Sequence, residues 1–256
     1  MKRVMLTVAY DGTGYCGFQF QPGKPTIEGE LRNAVSALTG TETEIIGASR
    51  TDAGVHALGN VAVFDTESSI PPERFSFALN TKLPESIRIT GSREVEADFH
   101  PRHCRSVKTY LYRIDNRFYA DPLKRLTSMH FPRPVDITRM KKAAACLIGE
   151  HDFLSFANPS SQVLLNGGNA VRTLYEVRVE GEERGDLFIT VRGNGFLYNM
   201  VRIIAGTLLD VGAGRFSPED MQEILEKRDR TAAGMTAEAK GLTLVSIEYM
   251  EENHQG

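Results

Sequence analysis

A chain of 256 residues has room for one large domain or two modest ones. Its 41 % hydrophobic and 25 % charged content is that of a soluble globular protein, which sets aside disordered, fibrous and membrane-spanning classes. A formal net charge of −3 argues against nucleic-acid binding through overall charge, so any such role needs a locally basic surface. Cys16, Cys104 and Cys146 are an odd number at wide spacing, which points away from a disulfide framework and toward a reducing compartment. The apolar run after Met1 stops by Asp11, too short for a signal peptide. The apolar stretch from Phe196 to Val211 carries Asn199, Arg202 and Asp210, so it does not read as a membrane span. A cytoplasmic protein is expected.

Lys2 to Tyr10 reads as a strand with Val4, Leu6 and Val8 on one face. Thr26 caps a helix carrying Ile27, Leu31, Ala34, Val35 and Leu38, and Gly40 ends it. Glu44 to Ala48 and Asn60 to Asp65 are the next strands. Pro71 and Pro72 open a second helix with Phe75, Phe77, Ala78 and Leu79, and Ile87 to Val95 is a fourth strand. The order β-α-β-β-α-β is that of a ferredoxin-like split unit. The second half repeats the order without repeating the sequence. Its strands are Lys108 to Asp115, Val171 to Val179, Asp186 to Arg192 and Leu242 to Met250. Its helices are Ile137 to Ile148, Phe196 to Val211 and one started by Ser217-Pro218-Glu219-Asp220. The stretch from Ala157 to Asn169, rich in Ser, Asn, Gly and Pro, is a long loop. The fold class expected is α+β with two halves, residues 1–103 and 104–256.

Chemistry concentrates in Ala48-Ser49-Arg50-Thr51-Asp52-Ala53-Gly54-Val55-His56-Ala57, a loop between two strands. A cation, a hydroxyl, a carboxylate and an imidazole lie within seven residues. Asp52 precedes two small residues, so a partner can approach it closely. A carboxylate there can attack an electrophilic carbon; it can equally close an Asx-turn or cap a helix with no chemistry at all. Arg50 could hold it ionised or meet a phosphate.

Three further segments compete for a role. Gly12-Thr13-Gly14-Tyr15-Cys16-Gly17 follows a strand and fits the dinucleotide-binding pattern. That mechanism needs a helix to begin at the glycines, and Pro22, Gly23 and Pro25 prevent one before Thr26. His100-Pro101-Arg102-His103-Cys104 holds metal-ligand residue types, but no second cluster completes a four-ligand site, so a basic linker between the halves is the better reading. From Pro101 to Lys142 there are eleven basic residues against three acidic, a net +8, interleaved with Tyr110, Tyr112, Phe118, Tyr119 and Phe131. Such a segment suits a phosphate backbone with exposed bases, and equally a merely solvated face.

The string Arg50 to Ala57 resembles the catalytic loop of the tRNA pseudouridine synthase A family. Tyr10-Asp11-Gly12-Thr13 through Gly17-Phe18-Gln19, Lys108-Thr109-Tyr110-Leu111-Tyr112-Arg113, Arg172-Thr173-Leu174-Tyr175 and Phe196 to Arg202 resemble further segments of that family, so the likeness spans both halves. Phe18 stands where the family usually has Trp, Glu28 and Asn60 where Gln is expected, and Ser49 where Gly is common. These departures bear on substrate details more than on activity.

The resemblance implies two ferredoxin-like halves whose antiparallel sheets flank a basic RNA-binding cleft. It implies a homodimer that uses no cofactor and converts uridine to pseudouridine at positions 38, 39 and 40 of the tRNA anticodon stem-loop. Some of these bases sit in a stem, so the target must be flipped out of its stack. By position in the motifs, Asp52 is the nucleophile, attacking either C1′ or C6. Arg50 braces the vacated space, Tyr110 stacks on the uracil, and Arg202 pairs with Asp52 and keeps it ionised. His56, Lys108 and Arg172 are expected to meet substrate. The rival readings are a pseudouridine synthase with another RNA target, a non-catalytic RNA-binding protein, and a nucleotide-dependent oxidoreductase using Gly12 to Gly17.

Overall fold

The structure is a computed structural model, described here for residues 1–250. The architecture is mixed α+β, and the chain divides into two compact units. One runs Met1–Ser106 and takes in the closing strand from Thr243; the other runs Val107–Leu242. No helix among the described residues is long and apolar enough to cross a membrane.

The first unit is built on β1 (Lys2–Tyr10), α1 (Ile27–Thr39), β2 (Ile46–Gly47), β3 (His56–Thr66), α2 (Phe75–Asn80) and β4 (Ile87–Val95). β4, β1, β3 and β2 are neighbours in that order, and every pair is antiparallel. This is the sheet order of a split β-α-β unit, in which each helix carries the chain past one intervening strand, α1 past β3 and α2 past β1. Alternation along β1 sends Val4, Leu6, Val8 and Tyr10 to one buried face. Met5 goes to the other, where it packs with Ala48, Val61 and Val63 under Phe99 and Tyr249. Thr26 caps α1 by accepting from Gly29 N at 3.2 Å.

The expected second and third strands differ from those observed. Only Ile46 and Gly47 pair in β2, and β3 begins at His56 rather than Asn60. The early start has a physical cause: Tyr10 pairs with Ala57 across a bulge in the β1–β3 ladder, and Thr243 and Leu244 pair in parallel with His56 and Ala57, so β3 extends backward. That pairing also puts the closing strand, β10 (Leu242–Tyr249), with the first unit, although it was expected to close the second half. Chain order alone does not say which strand a terminal segment will join.

The second unit contains β5 (Ser106–Asp115), β6 (Met129–His130), α3 (Ile137–Ala145), β7 (Gly149–Asp152), α4 (Gln162–Leu165), β8 (Val171–Gly181), β9 (Asp186–Gly193), α5 (Met200–Gly212) and α6 (Asp220–Lys227). β5, β9, β8 and β7 form an antiparallel run. Met140, Ala143 and Ala144 of α3 and Ile203, Ile204, Leu208 and Leu209 of α5 are buried with Tyr112, Ile189 and Val191. α3 stops at Ala145, short of Ile148, because the next residues turn into β7. α5 starts at Met200 rather than Phe196, since Asn199 sits at φ 62°, a left-handed conformation that breaks a helical run. α6 begins at Asp220, later than the expected Ser217 cap implies; the lead-in turn is closed reciprocally, Ser217 N donating to Asp220 Oδ2 at 2.7 Å and Asp220 N to Ser217 Oγ at 3.2 Å.

Candidate active site

The Asp52 loop, from Ala48 to Val55, leaves β2 and enters β3. It has no regular structure, so its shape must come from contacts with neighbouring segments. The backbone provides one set. Ala48 N donates to Val61 O at 2.7 Å, Phe18 N to Thr51 O at 3.0 Å, Gly54 N to Tyr15 O at 3.3 Å and Val55 N to Asp52 O at 3.1 Å. The segment after β1 therefore grips the loop from Thr51 to Gly54.

Two glycines permit this grip. A Cβ on Gly12 would lie 2.1 Å from Val55 O, and one on Gly17 would lie 2.7 Å from Thr51 O in a backbone with φ +92°. The dinucleotide-like spacing of Gly12, Gly14 and Gly17 thus has a different origin: two of the three let backbone meet backbone beside Asp52.

Buried side chains supply the second set. Asn60 on β3, fully buried, donates through Nδ2 to Ser49 O at 3.0 Å and to Tyr10 Oη at 3.1 Å, while its Oδ1 accepts from Val61 N at 2.9 Å. Tyr10 Oη lies 2.7 Å from Thr51 Oγ1. Asn60 and Tyr10 hold the residues on both sides of Arg50, and through Thr51 the position of Asp52. Neither was singled out as a support from the sequence. The available signal is a lone amide at the head of the apolar run Val61-Ala62-Val63-Phe64, since a buried amide must find partners.

Asp52 is half-buried and Arg50 is exposed. His56 is buried at the start of β3; its Nδ1 lies 3.1 Å from both Gly12 N and Asp11 Oδ1. A neutral Nδ1 accepts from Gly12, whereas a protonated one donates to Asp11. Partial burial pushes the Asp11 carboxyl up, but hydrogen bonds from Thr13 and the nearby His56 outweigh it and leave it below its usual range. His56 therefore braces Gly12 and Asp11.

The remaining candidates lie on the second unit. Lys108 and Tyr110 are on β5, where Tyr110 and Tyr112 share a face. Tyr112 is fully buried and its hydroxyl donates to Glu238 O at 2.7 Å, which makes it a core residue; burial holds that hydroxyl far above its usual value. Tyr110 keeps 7 % exposure and packs edge-on against Phe196, ring centres 5.0 Å apart. Arg172 begins β8 and donates through Nη1 to Val171 O at 2.6 Å and Asn169 O at 3.2 Å; burial lowers its pKa. Arg202 is in the first turn of α5, with Nε donating to Ala237 O at 2.7 Å and Nη1 to Asn199 Oδ1 at 2.9 Å. These bonds hold the guanidinium in an otherwise apolar helix.

Comparison with known proteins decides the family. A family model described as tRNA pseudouridine synthase matches residues 6–103 and 143–250. The chain belongs to the tRNA pseudouridine synthase family. Among its relatives, the tRNA pseudouridine synthase A of Brevibacillus brevis is 47 % identical over 251 residues, covering 97 % of this chain and 100 % of that protein. Those of Acetivibrio thermocellus and Caldicellulosiruptor saccharolyticus are 44 % and 43 % identical with the same coverage. As a pseudouridine synthase the protein is an isomerase. One departure noted in the sequence has a local explanation in this synthase. Glu28 offers two acceptors, one to Phe20 N at 3.0 Å and one to Arg32 Nη2 at 2.5 Å, so the carboxylate is satisfied by a cation that a glutamine would not require.

Proposed function

We propose that the protein isomerises uridine to pseudouridine in the tRNA anticodon stem-loop, at positions 38, 39 and 40, with Asp52 as nucleophile. The observation that carries this reading is the clamped loop: a half-buried carboxylate on a segment fixed by Asn60, Tyr10 and the Gly12 to Phe18 backbone, in a chain of this family. Rigid support of this kind suits a group that must meet a single carbon in a single orientation. The reaction detaches uracil from C1′ at N1, rotates it and rejoins it through C5. Asp52 attacks C1′ or C6 once the base is flipped out of its stack. On this reading Arg50 fills the space the base leaves, Tyr110 stacks on the uracil and favours loss of the C5 proton, and Arg202 keeps Asp52 ionised. Lys108, Arg172 and those basic residues between Arg102 and Lys142 that are not engaged within the second unit hold phosphates. The protein acts in the cytoplasm as a homodimer without a cofactor.

The test is tritium release from tRNA transcribed with uridine labelled at C5, because pseudouridine formation must replace that hydrogen. Wild type should release tritium, and Asp52→Asn should release none while still binding tRNA. Equal release by both would move the nucleophile elsewhere. Pseudouridine mapped in the product at positions other than 38, 39 and 40 would point to a different target site.

A further inference from the structure

The segment His100–Cys104 reads in the sequence as a basic linker, but in the first unit it folds back beside the Asp52 loop. Arg102 lines a polar cavity of about 140 Å³ together with Arg50, Gln19, Phe18 and Glu44. That volume exceeds the space of a few waters and admits a tetrahedral oxyanion. Arg50 and Arg102 are both exposed, and neither guanidinium has a hydrogen-bonded or ion-paired carboxylate among the described residues. Partial burial and the neighbouring Arg50 charge lower the Arg102 pKa, against the raising influence of Glu28 and Glu44. Two cations held together at one opening repel each other, and an anion between them removes that repulsion.

The charge around the cavity selects the anion. Arg32, Arg50 and Arg102 face Glu28 and Glu44, three positive groups against two negative, a net +1. Glu28 is already engaged by Arg32 and Phe20 N. A net +1 matches the single charge of a phosphodiester better than the near-double charge of a free phosphate. The cavity also shares Arg50 with the catalytic loop, two residues from Asp52.

We propose that Arg102 and Arg50 form a subsite that holds a phosphodiester of the substrate RNA beside the flipped nucleotide. This rests on the proposed tRNA reaction and narrows the general phosphate-binding role of the basic segment to one cavity that Arg102 shares with Arg50. The subsite positions the strand and takes no part in bond making.

The experiment measures tRNA affinity of the full chain by filter binding over a series of salt concentrations, for wild type, Arg102→Ala, Arg102→Lys and Glu44→Gln. Arg102→Ala should weaken binding about tenfold at low salt and reduce the slope of log K against log salt by about 0.7 to 0.9, the value for one phosphate contact. Arg102→Lys should keep the slope and lose only part of the affinity, because lysine keeps the charge but not the fork. Glu44→Gln should tighten binding about threefold, a direction that misfolding does not produce. An unchanged affinity and slope for Arg102→Ala overturns the subsite. Inorganic phosphate is the probe for the other source of this anion. Thermal protection by millimolar phosphate that needs Arg102, with RNA affinity unaffected, would assign the cavity to a free phosphate and overturn the RNA role. Arg102-dependent binding without tritium release would fail the proposed reaction and leave the subsite standing.

Discussion

Replacing Tyr10 by Phe tests whether the buried clamp positions the Asp52 loop or only stabilises the fold. The substitution removes one oxygen from a site 4 % exposed and keeps the ring that packs at 6.3 Å from Phe18. Thr51 Oγ1 then loses its partner at 2.7 Å, and Asn60 Nδ2 loses one of two acceptors while keeping Ser49 O. A buried polar group stripped of its partner costs about 1–3 kcal/mol, so with Asn60 half-satisfied the expected loss of stability is about 2 kcal/mol. Asn60→Ala deletes three hydrogen bonds at a fully buried site and should cost about 3–4 kcal/mol. If the clamp positions Asp52, Thr51 moves with the loss of its anchor, and displacement of a reacting group by about 1 Å can lower turnover up to about a hundredfold. The assay pairs urea unfolding with single-turnover tritium release under conditions where every variant is folded. Tyr10→Phe should slow turnover about ten- to a hundredfold with little change in tRNA affinity. Asn60→Gln, which keeps the amide, should retain most of the rate. A Tyr10→Phe protein that loses about 2 kcal/mol yet turns over within about twofold of wild type would refute the positioning role.

Other substitutions probe the remaining parts. Gly12→Ala places a methyl 2.1 Å from Val55 O and should destabilise by about 2–4 kcal/mol in urea unfolding. Gly14→Ala, which meets nothing within 4 Å, should cost only about 1 kcal/mol for its φ of +82°. Tyr112→Phe should lose about 1 kcal/mol of stability and keep its rate, whereas Tyr110→Leu should lose the rate; the reverse pattern would assign base stacking to the wrong ring here. The Asp186 carboxylate is pushed down to about 2, first by its hydrogen bonds with Arg117, against partial burial, and then by Lys124. Its depressed value makes the contribution full above the unfolded value near 3.8 and lost as pH falls through about 2. Discounted for a side chain 35 % exposed, that contribution is about 1 kcal/mol. Asp186→Asn should therefore unfold at lower urea than wild type at pH 7, and the gap should close between about pH 4 and pH 2.

What was legible in the sequence was periodic or contiguous. β1 and β4 have the residue ranges that alternation and turn signals gave them, and α1 runs from its Thr26 cap to Gly40, because local rules decide such elements. What was missed depended on partners far along the chain. β3 starts at His56 because Tyr10 reaches Ala57 across a bulge and β10, about 190 residues away, pairs there on the other side, and no local pattern near His56 announces either partner. The glycines of Gly12 to Gly17 fitted a known phosphate-binding spacing, yet their reason is a close approach to Val55 and Thr51 that becomes visible only when the loop is in place. The supporting network was hidden in the same way: Tyr10 read as a strand residue and Asn60 as a departure from an expected glutamine, and only their geometry joins them to Ser49 and Thr51.

Charge was the property that sequence counting handled worst. The net +8 between Pro101 and Lys142 suggested a broad phosphate-binding surface, but a count along the chain includes only acids within the window. Asp186 lies outside it and sits opposite Asp115 in the β5–β9 register. There it binds Arg117 at 2.8 Å and Lys124 at 2.6 Å, and Asp115 takes a second bond from Arg117. Arg139 is turned to Phe216 O at 2.9 Å. Three of the eleven cations therefore hold the second unit together. Cations already paired gain little from RNA, since a phosphate must displace a carboxylate to reach them. The charges available to a substrate are those without a carboxylate partner, and among the described residues Arg102 is one. Local pairing, rather than the net charge of a segment, decides which arginines can meet a phosphate.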